Sequence, residues 1–85
     1  MVTEFHRDFI KSSSKLTSQQ KSKLTERLKI FGQNQFDPVL NNHALTGRYK
    51  DCRSINVTGD LRAIFRKDGE NVIFVAIDSH SNLYG

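Results

Sequence analysis

RSINVTGDLRAIFRKDGENVIFVAI, residues 53–77, is the stretch that decides the fold. Its apolar side chains recur with a period of two. Arg53, Ile55 and Val57 fall on one side of an extended chain, and Cys52, Ser54 and Asn56 on the other. Thr58-Gly59-Asp60 supplies a turn. Beyond it Leu61, Ala63 and Phe65 alternate with Arg62, Ile64 and Arg66. Asp68-Gly69 predicts a second tight turn, of type I′, in which both central residues take positive φ. Residues 72–77, VIFVAI, are wholly apolar, as an inner strand covered on both faces would be. Three strands joined by short turns predict an antiparallel meander.

Toward the N-terminus the pattern changes. VTEFH, residues 2–6, reads as a short strand, and Phe5, Phe9 and Ile10 lie at helical spacing before the polar run KSSSK. Thr17-Ser18-Gln19-Gln20 has the form of a capping box, in which hydroxyl and amide each bond the other residue's backbone N–H. After it Leu24, Leu28 and Phe31 make one apolar stripe on a helix of about fourteen residues, closed by Gly32 as a C′ residue. Pro38 keeps the connector 34–40 extended. Two helices followed by a meander predict an α+β domain with the helices on one face of the sheet.

Composition bounds the function. The chain has 85 residues, enough for one domain spanning 1–85 and one modest core built on six Phe and no Trp. Thirteen Lys and Arg against nine Asp and Glu give a net charge of +4, which favours an anionic partner such as RNA. A single cysteine, Cys52, forms no internal disulfide, and no apolar run has signal-peptide or transmembrane length. The expected location is the cytoplasm, with no membrane partner. His6, His43 and His80 are too far apart in sequence for a metal-ligand motif. A P-loop, a dinucleotide fingerprint and a nucleophilic triad are all missing, so the sequence calls for no cofactor.

Helices can cover only one sheet face. The other is expected to stay open, carrying Ser54, Asn56, Arg62 and Arg66, with His80 and Tyr84 closing one end and Leu83 anchored in the core. An arginine fork matches phosphate oxygens, an aromatic ring stacks on a base, and an imidazole moves protons near neutral pH. Each residue also has a plainer role. Arg62 and Arg66 can guard a strand against aggregation, Asp60 is ordinary turn chemistry, and Cys52 is a small strand residue.

Three ordered pieces add to this reading: NHALTG at 42–47, RSINVTGDLRAIF at 53–65 and IDSHSNLY at 77–84. Together they resemble the RelE/ParE superfamily of toxins, in its YafQ-like branch. The resemblance implies two N-terminal helices packed on one face of a small, mainly antiparallel, twisted sheet. It implies the toxin of a type II toxin–antitoxin pair that cuts ribosome-bound mRNA without metal. In that chemistry the ribose 2′-OH attacks the adjacent phosphorus and the 5′-oxygen leaves. Family positions linked to catalysis fall on His43, Asp60, Arg62 and His80, with His80 as general acid, His43 or Asp60 as base or orienter, and Arg62 holding the phosphate. Tyr84, Arg53, Arg66 and Asn56 are the candidates for RNA contact. The implied partners are a cognate antitoxin protein, in a hetero-oligomer, and mRNA on the ribosome. Ser54, Asn56, Leu61 and Ala76 stand where the family usually carries polar or aromatic residues. They leave open a weakened or non-enzymatic toxin that acts by binding gyrase, the ribosome or only its antitoxin.

Overall fold

A computed structural model describes residues 1–84, with Tyr84 described by its backbone alone. Strand β1 (Thr3–Phe5) leads into α1 (Arg7–Ser14) and α2 (Ser18–Gln33). Strands β2 (His43–Ala44), β3 (Arg53–Asn56), β4 (Leu61–Asp68) and β5 (Asn71–Ser79) follow, and the chain ends in α3 (His80–Tyr84). The five strands form one sheet in the order β1-β5-β4-β3-β2. The expected α+β architecture and antiparallel β3-β4-β5 meander are present. Two strands extend it. β1 joins the edge parallel to β5, and β2 pairs antiparallel with β3.

Local chemistry accounts for most boundaries. The predicted capping box starts α2: Gln20 N donates to Thr17 Oγ1 at 3.2 Å and Thr17 N to Gln20 Oε1 at 2.9 Å. His6 caps α1 with its ring Nδ1, which accepts from Asp8 N at 3.1 Å. Gly32 does not end α2. It lies inside the helix, which closes at Asn34 in an extended conformation. The β4–β5 turn also differs from the expected type I′. Asp68 pairs with Asn71, so the loop is Gly69-Glu70, and only Gly69 has positive φ, at 62°. That is the type II′ pattern, in which glycine takes the first central position.

The core lies between the sheet and α1/α2. Phe9, Leu24, Phe31, Leu40, Ile55, Val57, Ala63, Phe65, Val72 and Phe74 are buried together there. Phe74 is its hub, with ring centroids 5.3–5.7 Å from those of Phe5, Phe9, Phe31 and Phe65. Of the stripe predicted on the first helix only Phe9 is buried. Phe5 belongs to β1, and Ile10 faces away, 55% exposed.

The second sheet face departs from expectation. It is not open along its length. Ile64 and Ser54 are fully buried and Leu45 nearly so, outside the main core. The connector 45–52 folds back over this face, which was expected to stay open. Leu45 N bonds Cys52 O at 2.9 Å, and the 3₁₀ turn Gly47–Tyr49 brings Tyr49 Oη to 3.5 Å from Asp78 Oδ2. Leu45 and Ile64 are thus buried on the second face as well, which the alternation of β4 alone did not reveal. Among the described residues no helix is long and apolar enough to cross a membrane.

Candidate functional site

Register places the polar side chains of the second face in two rows. One row runs His43–Ser54–Ile64–Ala76 across β2, β3, β4 and β5. The next runs Asn56–Arg62–Asp78, and one further step brings Leu61 opposite Ser79. Just past that pair His80 N donates to Asp60 O at 2.6 Å. So Asp60 and His80 meet at one end of the face, Arg62 and Asn56 lie next to them, and His43 lies beyond. Four candidates from three separate stretches of the chain, together with Asn56, therefore share one end of the sheet.

Their environments differ. His80 and Asp60 are exposed, and His43 is half-buried with Nδ1 2.7 Å from Asn41 O. Arg62 is only 8% exposed, although it was expected on an open face. Its Nη1 donates to the carbonyls of Thr58, Gly59 and Leu61 at 2.9, 3.3 and 3.0 Å. The guanidinium therefore braces the β3–β4 turn, which also carries Asp60. Within that turn Thr58 Oγ1 accepts from the backbone N–H groups of Asp60 and Leu61. Two buried polar atoms of this face, Ser54 Oγ and Asn56 Oδ1, have no protein hydrogen-bond partner. Buried polar groups are normally paired, so these two atoms stand out beside Arg62 and Ile64.

Three candidates stand apart. Arg53 lies across from Phe65, on the helix-covered side, where Nε donates to Asn42 Oδ1 at 2.8 Å and the guanidinium lies over the Phe36 ring. Arg66 is on the correct face but pairs with Ile73, four residues along β4 from Arg62. That is about 13 Å at the usual strand rise. The side chain of Tyr84 lies outside the described residues. Leu83 was expected in the core but is half-buried beside Leu45 and Tyr49 instead, because the folded-back connector takes up that end of the sheet. Burial pushes the Cys52 thiol up, Arg66 pulling it down and Asp51 pushing it up. A protonated thiol is a poor nucleophile. Among the described residues no three His, Cys, Asp or Glu are grouped to hold a metal ion.

Sequence reasoning passed over Tyr49, Asp78 and Asn82, which surround the Arg62 end of the face. Asp78 accepts from Ser79 N and from Asn82 Nδ2. The available signal was parity: Asp78 lies two residues after Ala76 on the last strand, and so on the same side of it.

A family model described as the bacterial toxin of a type II toxin–antitoxin system, YafQ, matches residues 1–85. No curated protein matches the chain in sequence. Solved structures do match its fold. YafQ from E. coli strain BL21(DE3) superposes with a TM-score of 0.75 at 22% identity, over 98% of this chain and 97% of that one. A YoeB/ParE toxin from Agrobacterium tumefaciens gives 0.76 at 13% identity, over 94% and 99%. The E. coli DinJ-YafQ toxin–antitoxin complex gives 0.72 at 23% identity, over 98% and 96%.

Proposed function

This chain belongs to the YafQ family of bacterial toxins of type II toxin–antitoxin systems, and from that premise we propose that it is a metal-independent mRNA endoribonuclease acting on ribosome-bound message. Residues 1–85 act as one toxin domain in the cytoplasm. The observation that carries the proposal is the bond from His80 N to Asp60 O, which sets His80 two ladder steps beyond the Arg62 row. A proton donor and a cation side by side are what a phosphodiester needs as its 5′-oxygen leaves.

In-line displacement places base and acid on opposite sides of phosphorus. Asp60 is on the His80 side, whereas His43 is at the far end of the face, beyond Arg62. His43 is therefore the base that takes the 2′-OH proton. His80 delivers a proton to the 5′-oxygen, and Asp60 holds the backbone that carries His80. The 2′-oxygen forms a bond to phosphorus as the bond to O5′ breaks, leaving a 2′,3′-cyclic phosphate and a 5′-hydroxyl. Arg62 balances charge on the non-bridging oxygens, and Asn56 lies next to it in the same row as a contact for the RNA. Induced expression in bacteria is expected to arrest growth and to create new mRNA 5′ ends. Arrest without new ends would remove the ribonuclease reading.

A second reading has its own support. Arg62 is buried and bonded to three turn carbonyls, so a toxin that works by binding alone, without cleavage, also fits this face. Either toxin needs an antitoxin. E. coli YafQ is solved with DinJ, and YoeB with YefM from Staphylococcus aureus. The net charge of +4 suits an acidic amphipathic segment of such a partner.

A further inference from the structure

His80 opens a helix of only five residues. So short a helix has no stability of its own. Its one large aliphatic residue, Leu83, is half-buried and outside the main core. Something else must hold α3, and with it the imidazole. The hydrogen bonds converge on Asp78. Its Oδ1 accepts from Ser79 N at 2.8 Å and from Asn82 Nδ2 at 2.9 Å. Ser79 Oγ accepts from Asn82 N at 3.1 Å. Asn82 is thus bonded twice to the two residues that precede His80, and the first turn of α3 closes around that bracket.

Register offers Asp78 another partner. Arg62 is directly opposite, on the same face. Opposite charges so placed ordinarily pair. Among the described residues these two form no ion pair, because Arg62 Nη1 is taken by the carbonyls of Thr58, Gly59 and Leu61. The Asp78 carboxylate is left to α3, with Tyr49 Oη 3.5 Å from its second oxygen. The two charged neighbours each fix a different piece of the site: Arg62 the turn bearing Asp60, Asp78 the helix bearing His80.

We infer that Asp78 is the positioning residue for His80, clamping the first turn of α3 through Ser79 and Asn82. Its effect on catalysis rests on the reading of His80 as general acid. Its effect on α3 does not. Asp78 itself touches no reacting atom. An acid displaced by about 1 Å can lose on the order of 10²-fold in rate.

The test compares Asp78→Ala, Asp78→Asn and Asn82→Ala in the full chain. Two measurements are made: steady-state cleavage of an mRNA on purified ribosomes, and amide hydrogen exchange at residues 80–83. Asp78→Ala and Asn82→Ala are expected to lower kcat by about 10- to 100-fold with KM little changed, and to speed exchange in α3. Asp78→Asn keeps an oxygen acceptor for both donors, so it is expected to restore slow exchange and most of kcat. Asn82 is exposed, so its variant keeps the fold even if Asp78→Ala does not. Unchanged exchange in Asn82→Ala and Asp78→Ala overturns the clamp. Faster exchange with a wild-type kcat overturns positioning. If the wild-type chain cuts no RNA, the ribonuclease reading fails on that result alone, and exchange still decides the clamp.

Discussion

His80→Ala is expected to lower the rate of RNA cleavage by about 10²- to 10⁴-fold, the range a positioned general acid contributes. Growth arrest on induction is expected to disappear with it. The side chain is exposed and adds nothing to the main core, so the fold should survive. The bond that sets the site, His80 N to Asp60 O, is made by backbone and is retained in the variant. Thermal unfolding and antitoxin binding should therefore match wild type while cleavage fails. A variant that unfolds in parallel with its loss of activity would say nothing of chemistry. One that stays folded and keeps cutting would strike His80 from the mechanism. The same substitution separates the two readings of function, since a toxin that acts by binding should tolerate the loss of a proton donor.

Phe74→Ala is expected to cause the largest loss of stability. Its ring is fully buried and packs against four other phenylalanines, two from the β1–α1 segment, one from α2 and one from β4. Truncating such a residue typically costs about 3–5 kcal/mol. A small domain has on the order of 5–15 kcal/mol in all, so about a fifth or more of the total disappears. The melting temperature should fall by more than about 10 °C. Phe36→Ala makes the contrast, because Phe36 is 59% exposed and its ring lies under the Arg53 guanidinium at the surface. Its melting temperature should barely move. A bound antitoxin should recover part of the Phe74→Ala loss, since a ligand of the native state stabilises by mass action. If the two variants melt together, Phe74 is not the hub of the core.

The meander was legible because its alternation is strict. Ile55, Ala63 and Phe65 point where period two sends them. The capping box at Thr17 and Gln20 was legible for a similar reason: every bond in it is local. What escaped depends on contacts between distant segments. Nothing in residues 45–52 announces that Leu45 will be buried, so Arg62 and Ser54 looked more exposed than they are. β1 was legible as a strand, but not its parallel place beside β5, as in the bond from Val72 N to Val2 O, a partner seventy residues away. The bulge that skips Val75 between the Ile64–Ala76 and Phe65–Phe74 pairs is likewise invisible to a strict alternation. In the site, His43, Asp60, Arg62 and His80 were named from the sequence. Their common surface follows from register. Arg53 was grouped with them although the alternation itself sends it to the face of Ile55, and the structure keeps it there, bonded to Asn42. Asp78 drew no notice because its partners, Ser79 and Asn82, look like ordinary polar residues near a terminus.

The most direct test of the central claim is the chemistry of the cut ends. Purified protein is incubated with mRNA-programmed ribosomes, with and without EDTA, and the products are sequenced and probed at both new termini. The mechanism predicts a 2′,3′-cyclic phosphate on the upstream fragment and a 5′-hydroxyl on the downstream one, at a yield EDTA does not change. Ends bearing a 5′-phosphate and a 3′-hydroxyl, or cleavage abolished by EDTA, would contradict attack by the ribose 2′-OH and the roles assigned to His43 and His80.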